Sequence, residues 1–185
     1  MREYYFDKHL SEHTLFDNKN IVEKLQTYLK ECSVIIDIGC GNMNWNDKRI
    51  IGIDSDDYVV RKNLIKGENC ICASSENIPL KQGMADGVIC FDLFEHLLFP
   101  KNTMLEIYRI LKPKGKFVVK VSTDIENREW FWNDYTHIRP FTHYSIELLI
   151  RDYHFHTIEL LRCYEKYEGK EFLEGFLLFG EKECI

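Results

Sequence analysis

Two short apolar runs in the first third of the chain constrain the fold most. Val34 to Ile36 and Ile50 to Ile53 are β-branched runs of the kind that buried parallel strands carry. Asp37, Gly39, Cys40 and Gly41 stand between them, and the second run ends in Asp54 and Ser55. Glycines at the end of a strand permit positive φ and a close approach of backbone to ligand. A carboxylate at the tip of the next strand can accept hydrogen bonds from both hydroxyls of a ribose. Ligands of open α/β sheets lie beyond the carboxyl ends of the strands, which is where Asp37, Gly39, Gly41 and Asp54 fall. The segment fits a site for a nucleoside-bearing cofactor, although two glycines after an apolar run also fit an ordinary tight turn.

The separation of the two runs carries its own consequence. Only residues 42–51 lie between Gly41 and Gly52, whereas parallel neighbours usually need a crossover of about a dozen residues or more. Returning along a strand of about five residues spans roughly 16 Å. That takes about eleven residues of helix but only about five of extended chain. The first crossover helix is therefore expected to be missing or reduced to one turn. A helix N-terminus would have offered free amides to the cofactor. In its place the loop must serve, through Asn42, Asn44 or Trp45. The thinly covered sheet face is expected to take the aromatic N-terminal segment, Tyr4, Tyr5, Phe6, His9 and Phe16, as part of a lid.

The remaining pattern alternates strand and helix. Apolar residues at helical spacing predict a helix over about 21–30, with Asn20 as its cap, then a short helix over 56–66 and another from Asn102 or Thr103 to Leu111. Thr142 is the expected N-cap of a helix to about Tyr153. Strands are expected near 34–38, 50–54, 70–73, 87–91, 116–121, 157–164 and 172–181, the last two joined as a hairpin through Glu168-Gly169-Lys170. Pro113 to Gly115 reads as a turn before the fifth strand. The fold class is α/β: a single Rossmann-like, doubly wound, mainly parallel seven-stranded sheet with one antiparallel strand from the C-terminal hairpin. With 185 residues, 45% hydrophobic and 29% charged, one domain is expected. Residues 1–32 would form its cover and first helix, 33–122 the cofactor-binding half, and 123–185 the substrate side.

Composition narrows the function classes. A net charge of −6 lacks the general footprint of a nucleic-acid binder. No apolar stretch is long enough to cross a membrane as a helix, and the N-terminus does not read as a signal peptide. The seven cysteines are odd in number, several sit within apolar runs, and no Cys-x-x-Cys occurs. They read as free thiols in a reducing cytoplasm. No metal site is expected, since Cys70 and Cys72 with a histidine are poorly spaced for zinc.

Several segments together resemble one family. Asp37-Ile-Gly39-Cys40-Gly41, Asp54, Ala73 to Leu80, Asp86 to Leu97, and Glu106 to Gly115 stand in the order and spacing of the class I S-adenosylmethionine-dependent methyltransferases. Asp134-Tyr-Thr-His137-Ile-Arg139-Pro-Phe-Thr142 is similar to a segment of their small-molecule members. The resemblance spans 34 to about 181. It implies S-adenosylmethionine as cofactor, with S-adenosylhomocysteine as product, and a small-molecule acceptor with oxygen or nitrogen as the methylated atom. It also implies a cofactor site of Asp37, Gly39, Cys40, Gly41, Asp54, Ser55, Ser74, Ser75, Phe91 and Asp92. The third glycine of the family loop is replaced, and Ser74 stands where an acid usually faces the adenine. A nicotinamide oxidoreductase is disfavoured because Asn44 breaks Gly-x-Gly-x-x-Gly.

Methyl transfer is an in-line displacement, so the protein aligns the acceptor and takes up its proton. His96, after the fourth strand, and His137, after the fifth, are the candidate catalytic residues; each also has an ordinary structural reading. Trp130, Trp132 and Tyr135 would form an acceptor pocket, with Arg139 for an anionic group. The alternative is a cofactor-binding regulatory or interaction protein without catalysis; a protein partner is left open. Deleting residues 1–16 is expected to weaken S-adenosylhomocysteine binding in calorimetry. Unchanged affinity would remove the lid.

Overall fold

The computed structural model describes residues 19–43, 45–167 and 170–184. The lid expected of residues 1–16, the role offered to Asn44 and the tip of the terminal hairpin lie outside the described residues. Seven strands form one sheet in the order β3-β2-β1-β4-β5-β7-β6. They are β1 (Ile35–Ile38), β2 (Ile50–Asp54), β3 (Asn69–Cys72), β4 (Ala85–Phe91), β5 (Leu111–Ser122), β6 (Phe155–Tyr167) and β7 (Lys170–Lys182). β1 to β5 pair in parallel, and β7 runs antiparallel to both β5 and β6. The helices are α1 (Lys19–Tyr28), α2 (Asp57–Ile65), α3 (Pro100–Ile110), α4 (Arg128–Trp132) and α5 (His143–Asp152).

Alternation along the strands builds two cores. Ile36, Ile38, Val88, Cys90, Phe117, Val119 and Val121 face one side with residues of α3 and α5. Ile35, Ile89, Val118, Leu177 and Phe179 face the other with Leu25 of α1 and Leu29 just after it. Asn63 of α2 also packs on the second side, where its Nδ2 donates to the Gly41 carbonyl at 2.7 Å and its Oδ1 accepts from the Met43 amide at 3.1 Å.

No helix joins β1 to β2 among the described residues. Side chains of the loop do part of that helix's work. Met43 is buried. A Cβ added at Gly52 would come within 2.4 Å of the Met43 sulfur and 2.6 Å of the Cys40 sulfur, so only glycine lets the loop settle on β2. Arg49 donates to the carbonyls of Leu29, Lys30 and Cys32 at 3.2, 3.3 and 2.9 Å and pairs with Asp47 at 2.6 Å. A cation thereby satisfies carbonyls just past the C-terminal end of α1, where helix carbonyls lack partners.

The β3–β4 connection, residues 73–84, is also non-helical. Glu106 and Arg109 of α3 hold it: Glu106 accepts from the Ile78 amide at 2.6 Å, while Arg109 donates to the Leu80 and Ile78 carbonyls at 2.6 and 2.8 Å.

Two local expectations are corrected. Pro113 to Gly115 do not precede β5 but form a bulge within it. Ala85 pairs with Leu111 and Gly87 with Lys116, so residues 112–115 loop out, with Lys114 at φ 60°. None of the expected helices falls in the stretch 123–141, yet it contains α4, capped by Asn127 whose side chain accepts from the Trp130 amide at 3.0 Å. Gly52→Ala is expected to lower unfolding stability by about 1–3 kcal/mol, the usual cost of overpacking. Urea denaturation measures it, and an unchanged midpoint would show that the loop does not pack as a substitute for the helix.

Candidate functional site

The site forms beyond the carboxyl ends of β1, β2, β4 and β5. Gly39 and Gly41 turn the chain with φ of 72° and 48°. A Cβ at Gly39 would meet the Leu93 side chain at 3.1 Å, so the glycine loop lies directly against the segment that follows β4. Asp54 closes the other side. Its carboxylate accepts from the Gly41 amide at 3.0 Å and from the Asp56 amide at 2.9 Å, which fixes both oxygens while leaving each further lone pairs. Asp37 is buried beneath the loop and accepts from the Trp45 indole Nε1 at 2.7 Å. Trp45 also lies 6.4 Å from the Phe91 ring. This acceptor set suits a ligand with a ribose diol and a cationic end, and the backbone approaches it without Cβ atoms.

Of the three serines, Ser55 is exposed at the end of β2. Ser74 accepts from the Glu76 amide at 3.1 Å and shapes its own turn. The Ser75 hydroxyl is bonded to Thr103 of α3 at 3.0 Å, which ties it to that helix. Phe91 ends β4, and Asp92 follows in a left-handed conformation, φ 47°. Asp92 exchanges contacts with Lys120: its amide donates to the Lys120 carbonyl at 3.1 Å, and its carboxylate takes the Lys120 ammonium at 2.9 and 3.1 Å. The ammonium also binds Glu174 of β7 at 2.8 Å, within the core.

His96 and His137 come together, their rings 4.6 Å apart. Asp134 Oδ1 accepts from the Thr136 hydroxyl at 2.6 Å, and that hydroxyl oxygen meets His96 Nδ1 at 2.9 Å. Because the hydroxyl donates to the carboxylate, it accepts from His96 Nδ1–H, which leaves Nε2 as the lone-pair nitrogen of neutral His96. His137 Nδ1 lies 2.7 Å from the Phe131 carbonyl, an acceptor only, so it carries the proton there too. Glu95 stands behind the pair. Its main-chain oxygen accepts from Ile138 and Arg139 at 2.9 and 3.3 Å, and Oε1 accepts from the Ser122 amide at 3.1 Å. Its other carboxylate oxygen is buried without a hydrogen-bond partner.

The expected aromatic pocket is not one cluster. Successive residues of a helix diverge by about 100°: Trp130 packs on Phe172 at 5.5 Å, Phe131 is buried against His137 at 4.3 Å, and Trp132 stands edge-on to Phe131 at 5.0 Å. Tyr135 is 82% exposed. Arg139 turns to its own chain, donating to the Leu98 carbonyl at 3.1 Å, and its Nε is buried without a partner.

Several site residues escaped the sequence reading. The Asp134–Thr136 relay had a local signal, an aspartate whose side chain binds the amide two residues on, here at 2.8 Å. Lys120 and Glu174 had another: each is a lone charge inside an apolar run, Phe117 to Val121 and Phe172 to Phe179. Nothing in the spacing marks the Trp45 bond to Asp37, although Trp45 had been offered to the cofactor's end.

Electrostatics follow from burial. Burial pushes the Asp37 carboxyl up to about 7, against the Trp45 bond and with help from Asp54. Burial and the neighbouring Asp92 push Glu95 up to about 8. Burial lowers His137, favouring its neutral form. Burial also opposes the charge on Lys120, but Asp92 and Glu174 outweigh it and hold the ammonium well above its usual range.

The comparisons agree with this geometry. Residues 36–119 match the family described as a methyltransferase domain. An uncharacterized protein of Methanocaldococcus jannaschii is 32% identical over 131 residues, 65% of this chain and 57% of that protein. A tRNA U34 carboxymethyltransferase of Cellvibrio japonicus is 30% identical over 102 residues, 47% of this chain and 32% of that protein. The alignments thus span about half or less of these curated relatives. A crystal structure of a SAM-dependent methyltransferase from Archaeoglobus fulgidus superimposes with a TM-score of 0.80 at 17% identity, covering 97% of this chain and 100% of that one. The match over residues 36–119 and the shared fold support a class I S-adenosylmethionine-dependent methyltransferase. S-adenosylmethionine is the cofactor of this domain. Among the described residues, no helix is long and apolar enough to cross a membrane.

The raised carboxyls give a pH signature. Between the ordinary 3.8 of an aspartate and the native value of about 7, the folded protein holds the Asp37 proton more tightly than the unfolded chain. Stability contributed by this group is therefore lost as pH rises through that window. Glu95 acts in the same direction. Asp37→Asn is expected to flatten the fall in urea midpoint from pH 5 to 8. An equal or steeper fall would contradict the assignment.

Proposed function

We propose that the protein transfers the methyl group of S-adenosylmethionine to an oxygen or nitrogen of a small-molecule acceptor. The observation that carries this reading is the juxtaposition, through the Gly39–Leu93 contact, of a glycine-and-carboxylate cradle with a histidine pair whose tautomers are fixed. Asp54 binds the ribose hydroxyls. Gly39, Cys40 and Gly41 follow the backbone of the ligand, and Asp37, ionised by the cofactor's positive charge, faces its amino acid end under Trp45. Ser55, Ser74 and the main chain at Ser75 border the adenine. Phe91 and Asp92 form the floor towards the methyl group. The cofactor supplies an electrophilic methyl carbon on a sulfonium. The acceptor's proton is taken up at the His96–His137 pair, and Trp132 and Tyr135 border the acceptor on the exposed side. Trp130 and Arg139, held by Phe172 and Leu98, shape this border from behind.

A tRNA base as acceptor is the second reading, favoured by the similarity to the Cellvibrio enzyme. The net charge of −6 weighs against it. The non-catalytic alternative has less support, because a protein that only bound cofactor would not need the Asp134–Thr136–His96 relay. A cytoplasmic location belongs to the proposal and rests on cysteine usage.

Calorimetry and turnover test the reading. Asp54→Ala is expected to weaken S-adenosylhomocysteine binding at least about tenfold, the loss of hydrogen bonds to a charged group. His96→Gln is expected to lower methyl transfer by about 10²–10⁴-fold with S-adenosylhomocysteine affinity unchanged. Acceptor panels should include undermodified tRNA beside small alcohols, phenols and amines. Cofactor binding unaffected by Asp54→Ala would overturn the site, and turnover with tRNA alone would select the second reading.

A further inference from the structure

The Glu95, His96 and His137 cluster has a feature that proton uptake does not use. One donor atom from each of the three lies within 4.8 Å of the other two. Three donors at that spacing surround a point about 2.8 Å from each, so movements of roughly 1 Å bring them to the ~2.0–2.2 Å of a bound transition-metal ion. The second observation is independent: Glu95, buried completely, keeps one carboxylate oxygen with no hydrogen-bond partner. An unpaired buried acceptor is costly, and a cation would satisfy it. The third is the way the imidazoles are held. His96 is fixed through Nδ1 by the Thr136 hydroxyl, itself bound to Asp134, and His137 through Nδ1 by the Phe131 carbonyl. Metal-ligating histidines are oriented in this manner by a carboxylate or a carbonyl on the non-ligating nitrogen.

We infer that Glu95, His96 and His137 hold a divalent first-row transition ion at the acceptor end of the site. Two imidazoles and one carboxylate form a borderline-soft, three-donor set that suits zinc, iron(II), cobalt(II) or manganese(II) rather than calcium or magnesium, which favour all-oxygen shells. Three protein donors leave coordination positions for water or an acceptor oxygen. The inference rests on the proposed function for what the ion does there, not for the ion site itself. An acceptor hydroxyl on the ion gives up its proton to solvent more readily. Its oxygen then attacks the methyl carbon, and the electron pair of the broken carbon–sulfur bond stays on sulfur. With the ion bound, the Nε2 lone pairs of the two histidines are its ligands and no longer take up the acceptor's proton, which goes to solvent; proton uptake at the pair belongs to the ion-free protein.

Zinc and cobalt titrations test it. Protein treated with a chelator and then titrated with Zn²⁺ against a chromophoric competitor is expected to bind one ion per chain at this site. His96→Ala, His137→Ala and Glu95→Gln should each weaken binding at least tenfold. Thr136→Val, which removes only the outer hydrogen bond, should weaken it by about 10–100-fold. Wild-type protein loaded with Co²⁺ should show visible d–d bands without a thiolate charge-transfer band, a measurement that needs no variant to fold. The inference is overturned by the absence of stoichiometric binding, by binding that all four substitutions leave unchanged, or by a cobalt spectrum dominated by thiolate. Calorimetry with S-adenosylhomocysteine on the same samples separates the two claims. Cofactor binding without an ion overturns this inference alone, and ion binding without cofactor binding overturns the proposed function alone.

Discussion

The connection between β1 and β2 is the constraint on which the rest depends. Two adjacent parallel strands are joined by residues 39–49 alone, too few to cross the sheet as a full helix. The chain returns as a loop, so the loop must do three jobs of a helix with individual side chains. Met43 fills the core beside Gly52. Arg49 reaches back to the carbonyls after α1 and fastens that helix to the sheet. Trp45 covers Asp37 with an indole hydrogen bond. Each substitution is specific, since a loop offers no repeating hydrogen-bond ladder to share the load.

The same economy reaches the reactive end. Leu93 sits in the space opened by Gly39 and brings the segment after β4 against the glycine loop. Glu95 then ties that segment to the end of β5 through Ser122 and to the 134–139 loop through Ile138 and Arg139. The position of His137 relative to His96 is thereby set by one buried glutamate. Beneath it, Lys120 joins Asp92 to Glu174. This ion cluster links the end of β4 to β5 and β7, with Lys120 and Glu174 buried and Asp92 partly open to solvent.

The sequence announced the frame well because the frame rests on periodicity and on glycine. Short β-branched runs gave the strands, Thr142 gave the capped start of α5, and the spacing of Gly41 and Gly52 gave the missing crossover helix. The place of Asp37 and Asp54 at strand ends was legible from the apolar runs before them. Side-chain pairings between distant segments were not legible, since neither Arg49 with the end of α1 nor Trp45 with Asp37 leaves a local pattern. The aromatic run from Trp130 to Trp132 misled for a related reason. Neighbours in sequence on a helix face different surroundings, so Trp130 packs on Phe172 while Phe131 lies between Trp132 and His137.

The central claim is geometric: a loop cradle holds the cofactor with its sulfur turned, past Leu93, towards His96 and His137. A crystal structure of the complex with S-adenosylhomocysteine tests it most directly. The account predicts ribose hydroxyls on Asp54, the amino acid end beneath Trp45 beside Asp37, and the sulfur facing the histidine pair. A ribose bound away from Asp54, or a sulfur facing away from the pair, would contradict it.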